Sequence, residues 1–284
     1  MTAYQTYRHF ISQLTSIYNA GEAAAITSMV FFECLGKNKS DLLKNQEELL
    51  DDNDALLLQE KLARLLQHEP VQYVLEKAMF AGYSFQVNNK VLIPRPETEE
   101  LVEKVNAHIA TFGCNEVLDI GTGSGCIPVA VKLKNPHVRV SGIDVSDDAI
   151  EVAKTNASAH GAEVLFYCVD FLDVTQYDTL GQYDIIISNP PYIPASDLSS
   201  MDDNVKRHEP HLALFVSDED PLVFYRQIAN FAQQHLTTGG SVFMETHKDL
   251  ASDVLQLFRE NNFEGKVWQD MFGNNRMVIV NRYP

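Results

Sequence analysis

Asn189-Pro190-Pro191-Tyr192 follows the apolar run Asp184-Ile185-Ile186-Ile187-Ser188 near the middle of the chain. Proline fixes φ and has no backbone N–H. The two prolines therefore leave the Pro190 carbonyl free and set its direction, and Asn189 adds a side-chain carbonyl. Two neighbouring acceptors can hold both hydrogens of one planar NH₂ group. Tyr192 offers an aromatic face to a flat substrate group. The chemistry this favours is a reaction at an amide or amino nitrogen. Asn189 and Pro190 are the candidate catalytic residues, and Asn189, Pro190, Pro191 and Tyr192 the candidate substrate-binding residues.

Three further motifs sit where strands are expected to end. Val117-Leu118-Asp119-Ile120 runs into Gly121-Thr122-Gly123-Ser124-Gly125 and then Cys126. Glycines allow a sharp turn and a close approach by a ligand. The dinucleotide fingerprint requires a glycine three residues after the second one, and Cys126 stands there. No Gly-Lys-Ser or Gly-Lys-Thr is present, so a P-loop is excluded as well. A GxGxG turn of this kind suits a ligand that carries an amino acid and a nucleoside but no phosphate. Asp144 closes Ser141-Gly142-Ile143, roughly twenty residues beyond the turn, where nucleoside-binding α/β folds place a ribose acceptor. Asp170 and Phe171 follow Cys168-Val169, where a carboxylate can accept from a base amino group and a ring can stack on the base. The candidate cofactor residues are Gly121, Thr122, Gly123, Ser124, Gly125, Asp144, Asp170, Phe171 and Asn189.

Composition narrows the partners. The 284 residues are 45% hydrophobic with a formal charge of −17. Residues 1–75 carry a net −4 and the remainder −13, whereas nucleic-acid enzymes usually present a basic surface. No apolar run reaches the roughly 18–20 residues of a membrane span. The N-terminus has no basic start or continuous apolar core, so a cytoplasmic chain is expected. Cys34, Cys114, Cys126 and Cys168 form no CxxC pair; small buried thiols are expected. The nine histidines show no HExxH or HxH spacing, and no metal site is expected.

These motifs need elements to hold them. Residues 3–19 carry Tyr7, Ile11, Leu14 and Tyr18 at helical spacing. A second helix runs to about Cys34 with Gly36 to end it. Asn53 or Asp54 can cap a third, with Leu58, Leu62, Leu65 and Leu66 as its stripe. Tyr83-Ser-Phe85-Gln-Val87, the turn Asn88-Asn89 and Val91-Leu92-Ile93 read as a β-hairpin. Pro96 suits a helix first turn and Glu97, Glu99 and Glu100 its N-terminus. Leu101, Val102, Val105 and Ile109 form the apolar face of that helix. Candidate strands then cover 116–120, 138–143, 163–168, 183–188, 240–245 and 276–282, with helices over 125–134, 146–160, 221–236 and 248–261. Such alternation means crossover connections and a mostly parallel sheet.

Asn-Pro-Pro-Tyr behind a GxGxG turn resembles the amino-methyltransferases, which include adenine-N6 DNA enzymes and protein-glutamine enzymes. Further motifs single out the HemK/PrmC family, protein-(glutamine-N5) methyltransferases of peptide chain release factors. Glu69-Pro70-Val71-Gln72-Tyr73 and Val91-Leu92-Ile93-Pro94-Arg95-Pro96-Glu97-Thr98-Glu99 are similar to it. So are His208-Glu209-Pro210 with Ala213-Leu214, Glu245-Thr246, and Gly273-Asn274-Asn275-Arg276. The chain departs from the family near position 76, where a glycine is usual and this chain has Glu76, and after Ala213-Leu214, where Phe-Val-Ser-Asp-Glu-Asp replaces an often small, Gly-containing stretch. Phe171 stands where some members have another aromatic.

The resemblance implies an α/β fold: a Rossmann-like class I methyltransferase sheet, seven-stranded with the last strand antiparallel, and a small N-terminal helical bundle joined to it by a β-hairpin. The expected boundaries are 1–75, 76–95 and 96–284. It implies S-adenosyl-L-methionine as cofactor and S-adenosyl-L-homocysteine as product. The implied substrate is the Gly-Gly-Gln glutamine of bacterial class-I release factors, gripped by residues 1–75. The expected partners are release factors only, with no nucleic acid or membrane and a monomeric chain. The competing readings are a DNA adenine-N6 methyltransferase and a non-catalytic module that binds S-adenosylmethionine.

Overall fold

The structure is a computed structural model and describes residues 1–282. The last two residues of the expected 96–284 domain lie outside the described residues. The chain divides into two compact units. One comprises Met1–Lys77 with Asp202–His208, and the other Ala78–Met201 with Glu209–Pro284.

The first unit is helical: α1 (Ala3–Leu14), α2 (Ala20–Leu35), α3 (Lys39–Lys44), α4 (Asp52–Leu65) and α5 (Val71–Val74). The α1 helix opens on a capping box between Thr2 and Gln5. It ends at Leu14, before Tyr18, and buries Tyr7, Phe10 and Leu14. The α2 helix ends at Gly36, whose φ is 66°. The α4 helix is capped by Asp51, two or three residues before the Asn53 or Asp54 expected, because the Asp51 carboxylate accepts from the Asp54 N–H at 2.7 Å. The α3 helix was not expected in that polar stretch; an Asn38–Asp41 capping box starts it. Phe31 sets its ring edge-on to Tyr7 and Phe10 at 5.2 and 5.4 Å, in a core shared with Leu58 and Leu65. Glu76 has a φ of 55°. That is the left-handed region, which a glycine adopts without penalty.

A hairpin follows, all of it but Lys77 in the second unit, and it is not the one expected. It pairs β1 (Lys77–Phe80) with β2 (Tyr83–Gln86). Its turn is Ala81-Gly82, with φ of 51° and 81°, and two positive φ values match the strand twist. The Asn88-Asn89 region is a turn, with the Val91 N–H bonded to the Asn88 carbonyl at 3.2 Å, and Val91–Ile93 is not a strand. The α6 helix (Pro96–Phe112) follows and buries Leu101, Val102, Val105 and Ile109.

Alternation then builds the sheet: β3 (Glu116–Ile120), α7 (Cys126–Lys134), β4 (Arg139–Asp144), α8 (Asp147–His160), β5 (Val164–Cys168) and β6 (Tyr183–Ser188). After a two-residue strand β7 (Ile193–Pro194) and the first unit's Asp203–His208 helix, α9, come β8 (Phe215–Val216), α10 (Val223–His235), β9 (Leu236–Glu245), α11 (Ala251–Glu260), β10 (Phe263–Gln269) and β11 (Asn275–Arg282). The seven strands run in the order β10-β11-β9-β6-β3-β4-β5. β3, β4, β5, β6 and β9 pair in parallel, and β11 runs antiparallel to β9.

β10 was absent from the expected strands. Gly265 interrupts its apolar pattern, yet a Cβ there would stand 2.1 Å from the Ile279 carbonyl oxygen. The glycine therefore permits close strand approach rather than ending the strand. Cys114 and Cys126 are buried as expected, Cys34 is partly buried, and Cys168 is exposed at the end of β5, where the sheet edge faces solvent. Among the described residues no helix is long and apolar enough to cross a membrane.

Candidate active site

The chain leaves β3 toward β4 on one side and returns through β6 on the other, so the sheet order reverses between β3 and β6. Ligands of open α/β sheets bind beyond the carboxyl ends of the strands at such a point. Ile120 and Ser188 are register partners there. Gly121 and Asn189, the first residues of the two turns, thus leave adjacent strands at the same level. Beyond these strand ends is a cavity of about 390 Å³, within the range of small-molecule sites. Gly121, Gly123, Asp144, Asp170, Phe171, Asn189, Pro190 and Pro191 all line it.

The glycine turn is held from below. Gly123 has a φ of 52°, and its N–H donates to Asp144 Oδ2 at 2.9 Å. Asp144 Oδ1 accepts from the Ser146 N–H at 3.0 Å, which leaves each oxygen a lone pair for a ligand. Burial pushes the Asp144 carboxyl up, and these backbone N–H groups oppose the rise. Gly125 serves packing: a Cβ there would meet Ala153 Cβ at 2.9 Å. Thr122 and Ser124 are buried and outside the cavity wall. Asn156 on α8 donates from Nδ2 to the carbonyls of Ser124 and Gln86, both at 2.9 Å, and clamps the turn to β2.

Asp119, immediately before this turn, is fully buried, and neither of its carboxylate oxygens meets a hydrogen-bond partner of good geometry. Burial pushes its carboxyl up to about 7; the Thr122 hydroxyl offsets part of the rise and the Asp144 charge adds to it.

Phe171 stacks on Tyr177 at 5.4 Å and meets Phe231 edge-on, so it belongs to the core as well as to the cavity wall. Asp170 is exposed and accepts from the Leu172 N–H at 2.9 Å.

Around the Asn-Pro-Pro-Tyr turn the structure adds partners that the sequence did not single out as site residues. Asn189 Nδ2 donates to Thr98 Oγ1 at 3.1 Å, and Thr98 Oγ1 donates to Glu245 Oε2 at 2.6 Å. Tyr192 does not line the cavity; its hydroxyl donates to Glu245 Oε1 at 3.1 Å. Burial pushes the Glu245 carboxyl up, against the Thr98 and Tyr192 hydroxyls and the Arg276 charge. Asn189 Oδ1 and the Pro190 carbonyl have no hydrogen-bond partner among the described residues. Glu209 accepts from Arg95 Nη2 at 2.7 Å and from the Ile93 N–H at 3.3 Å, joining two of the family-like motifs. The signal for Thr98 and Glu245 was present only as membership of such motifs.

Residues 96–207 match the methyltransferase small domain family, and residues 5–75 match the PrmC N-terminal domain. The chain is 36% identical over 282 residues to a release factor glutamine methyltransferase of Flavobacterium psychrophilum, covering 98% of each chain. It is 35% identical over 270 residues to a protein of the same name from Bacteroides thetaiotaomicron, covering 95% of this chain and 96% of that one. A methyltransferase structure from Pyrococcus furiosus superposes with a TM-score of 0.52 at 17% identity, over 79% of this chain and 99% of that one, and shares the fold. Two matched domains and near full-length identity to those relatives place this chain in the release factor glutamine methyltransferase family.

Proposed function

We propose that the protein transfers a methyl group from S-adenosyl-L-methionine to the side-chain amide nitrogen of the Gly-Gly-Gln glutamine in bacterial class-I release factors. The observation that carries this reading is the pair of unpartnered acceptors, Asn189 Oδ1 and the Pro190 carbonyl, on a cavity shared with a GxGxG turn. The residues present suit the cofactor. Asp144 keeps lone pairs for the ribose hydroxyls, Gly121 and Gly123 let the amino-acid part approach the backbone, and Asp170 and Phe171 take the adenine. The buried Thr122, Ser124 and Gly125 shape the turn. Bound there, the cofactor supplies an electrophilic methyl group on its sulfonium.

An amide nitrogen is a poor nucleophile because its lone pair is delocalised into the carbonyl. Asn189 Oδ1 and the Pro190 carbonyl accept its two N–H bonds and favour a more tetrahedral nitrogen with a directed lone pair. Fixed acceptors of this kind act through orientation and through electrostatics that strengthen as positive charge develops on the nitrogen, which gives up one of its two hydrogens as a proton after the new C–N bond has formed. Pro191 stiffens the turn, and Tyr192 anchors it from behind the cavity through its bond to Glu245. Residues 1–75 grip the release factor, and the enzyme works as a cytoplasmic monomer without nucleic acid or membrane.

The test is incubation of the protein with methyl-labelled cofactor and purified release factors, followed by mass mapping. One methyl group on the Gly-Gly-Gln glutamine is expected, with duplex DNA unlabelled in a parallel reaction. Labelled adenine with unlabelled release factor would overturn the reading.

A further inference from the structure

Two hydroxyls, those of Thr98 and of Tyr192 in the Asn-Pro-Pro-Tyr turn, are tied by one buried carboxylate. Glu245, at the end of β9, is 1% exposed, and Thr98, in the first turn of α6, is 3% exposed. Glu245 Oε2 accepts the Thr98 hydroxyl at 2.6 Å, and Oε1 accepts the Tyr192 hydroxyl at 3.1 Å. The Glu245 peptide carbonyl takes the Tyr225 hydroxyl at 3.1 Å.

A hydroxyl has one hydrogen, and a carboxylate only accepts. The single hydrogen of Thr98 is therefore committed to Glu245, and only lone pairs remain on its other side. Asn189 stands 3.1 Å from that oxygen. It must offer Nδ2, because Oδ1 in that place would set two acceptors together with no hydrogen between them. The network thus decides which end of the Asn189 amide faces Thr98, and Oδ1 falls on the opposite side.

We infer that Thr98 and Glu245 are positioning residues that hold Asn189 with its oxygen toward the substrate, and that they make the site select an amide over a carboxylate. This rests on the methyl-transfer reading above. A glutamine NH₂ brings two hydrogens to the two acceptors. A glutamate in the same place would set its own lone pairs against Asn189 Oδ1 and the Pro190 carbonyl. Sites whose buried polar groups are left unpaired reject the mismatched ligand strongly. With Thr98 removed, Asn189 can turn over and present its NH₂, and the carboxylate form then gains a donor.

The experiment uses the full chain and two forms of a purified release factor, one with the target glutamine and one with glutamate in its place. Single-turnover methylation is measured on the first form, and inhibition of that reaction by the second. In the wild-type protein the glutamate form is expected to compete at least ~100-fold more weakly than the glutamine form binds. In Thr98→Val the gap is expected to shrink by ~10-fold or more, with methylation slowed. Thr98→Ser keeps the hydroxyl and is expected to restore the gap.

Glu245→Gln serves as the second variant. Its amide can donate to Thr98, which turns the Thr98 hydrogen toward Asn189 Oδ1 and reverses Asn189 without deleting a side chain. A merely structural role would lower stability and rate together and leave the discrimination unmoved. Undiminished discrimination in folded Thr98→Val and Glu245→Gln would overturn the inference while wild-type methylation stands. Absence of wild-type methylation would overturn the underlying reading and this inference with it.

Discussion

Ser188 and Ile120 are joined twice, as register partners across β6 and β3 and through the Ser188 hydroxyl, which donates to the Ile120 carbonyl at 2.8 Å. Both are buried. The bond adds to the ladder's resistance to slippage of one strand along the other, and so helps keep the glycine turn and the Asn-Pro-Pro-Tyr turn at one relative height. A transfer between a ligand on one turn and a ligand on the other requires that constancy, since a misplacement of about 1 Å can cost roughly 100-fold in rate.

Asn189→Ala is expected to lower the single-turnover rate about 100–1000-fold, the usual cost of deleting one preorganised contact used in the transition state. Asn189→Asp keeps an acceptor but cannot donate to Thr98 and brings a second charge toward Glu245, so it is expected to fail as well. In both variants the rate is expected to fall far more than cofactor affinity. Rapid-quench assays beside a cofactor titration measure the two, and full activity in Asn189→Ala would sink the proposed mechanism.

Asp144→Ala is expected to weaken cofactor binding. Loss of a charge-assisted acceptor costs roughly 1.5–3 kcal/mol, about 10- to 150-fold in Kd. The Gly123 and Ser146 N–H groups lose their partner at the same time. Calorimetry decides it, and an unchanged Kd would remove Asp144 from the ribose.

Asp119 links stability to pH. Its carboxyl is raised to about 7 in the folded protein by burial, against about 3.9 for a free aspartate. The neutral form is favoured in the fold, so its contribution is fully present below about pH 4 and is lost as pH rises through about 7. Asp119→Asn removes that dependence. The melting temperature of the variant is expected to gain on the wild type between pH 4 and 7, with the difference level above pH 8 and worth on the order of a few kcal/mol. Parallel melting curves for the two proteins across that range would refute it.

Deletion of residues 1–75 is expected to leave a folded sheet unit that binds cofactor, since the cavity is lined entirely by residues of that unit. Methylation of the intact release factor is expected to fall. Residues 202–208, which belong to the helical unit, lose partners such as the Gln67 carbonyl that receives His208 Nε2 at 3.0 Å. Limited proteolysis is expected to cut the truncated protein in that segment first. Undiminished methylation after the deletion would remove the gripping role.

The parts of this structure legible in the sequence are those with local causes. The strands over 116–120 and 183–188 were set by apolar runs that stop at glycine and at proline, and α6 by Pro96 and its carboxylates. The hairpin was misplaced by one strand because Asn88-Asn89 is a stronger turn signal by composition than Ala81-Gly82, which needs positive φ at an alanine. β10 stayed hidden because Gly265 reads as a break until Ile279 is seen beside it. Thr98 and Glu245 are 147 positions apart. Neither carries a local pattern that announces the other, so only the folded chain brings them together behind Asn189.

The assignment of Asp202–His208 to the helical unit sets an order on synthesis. Domains generally fold as they emerge, the N-terminal one first. Here the first 77 residues leave the ribosome early, but their unit lacks its last helix until β3, β4, β5 and β6 have all been made. The unit begun first is completed only after most of the parallel sheet exists, and a nascent chain stalled before residue 202 carries an unfinished N-terminal unit.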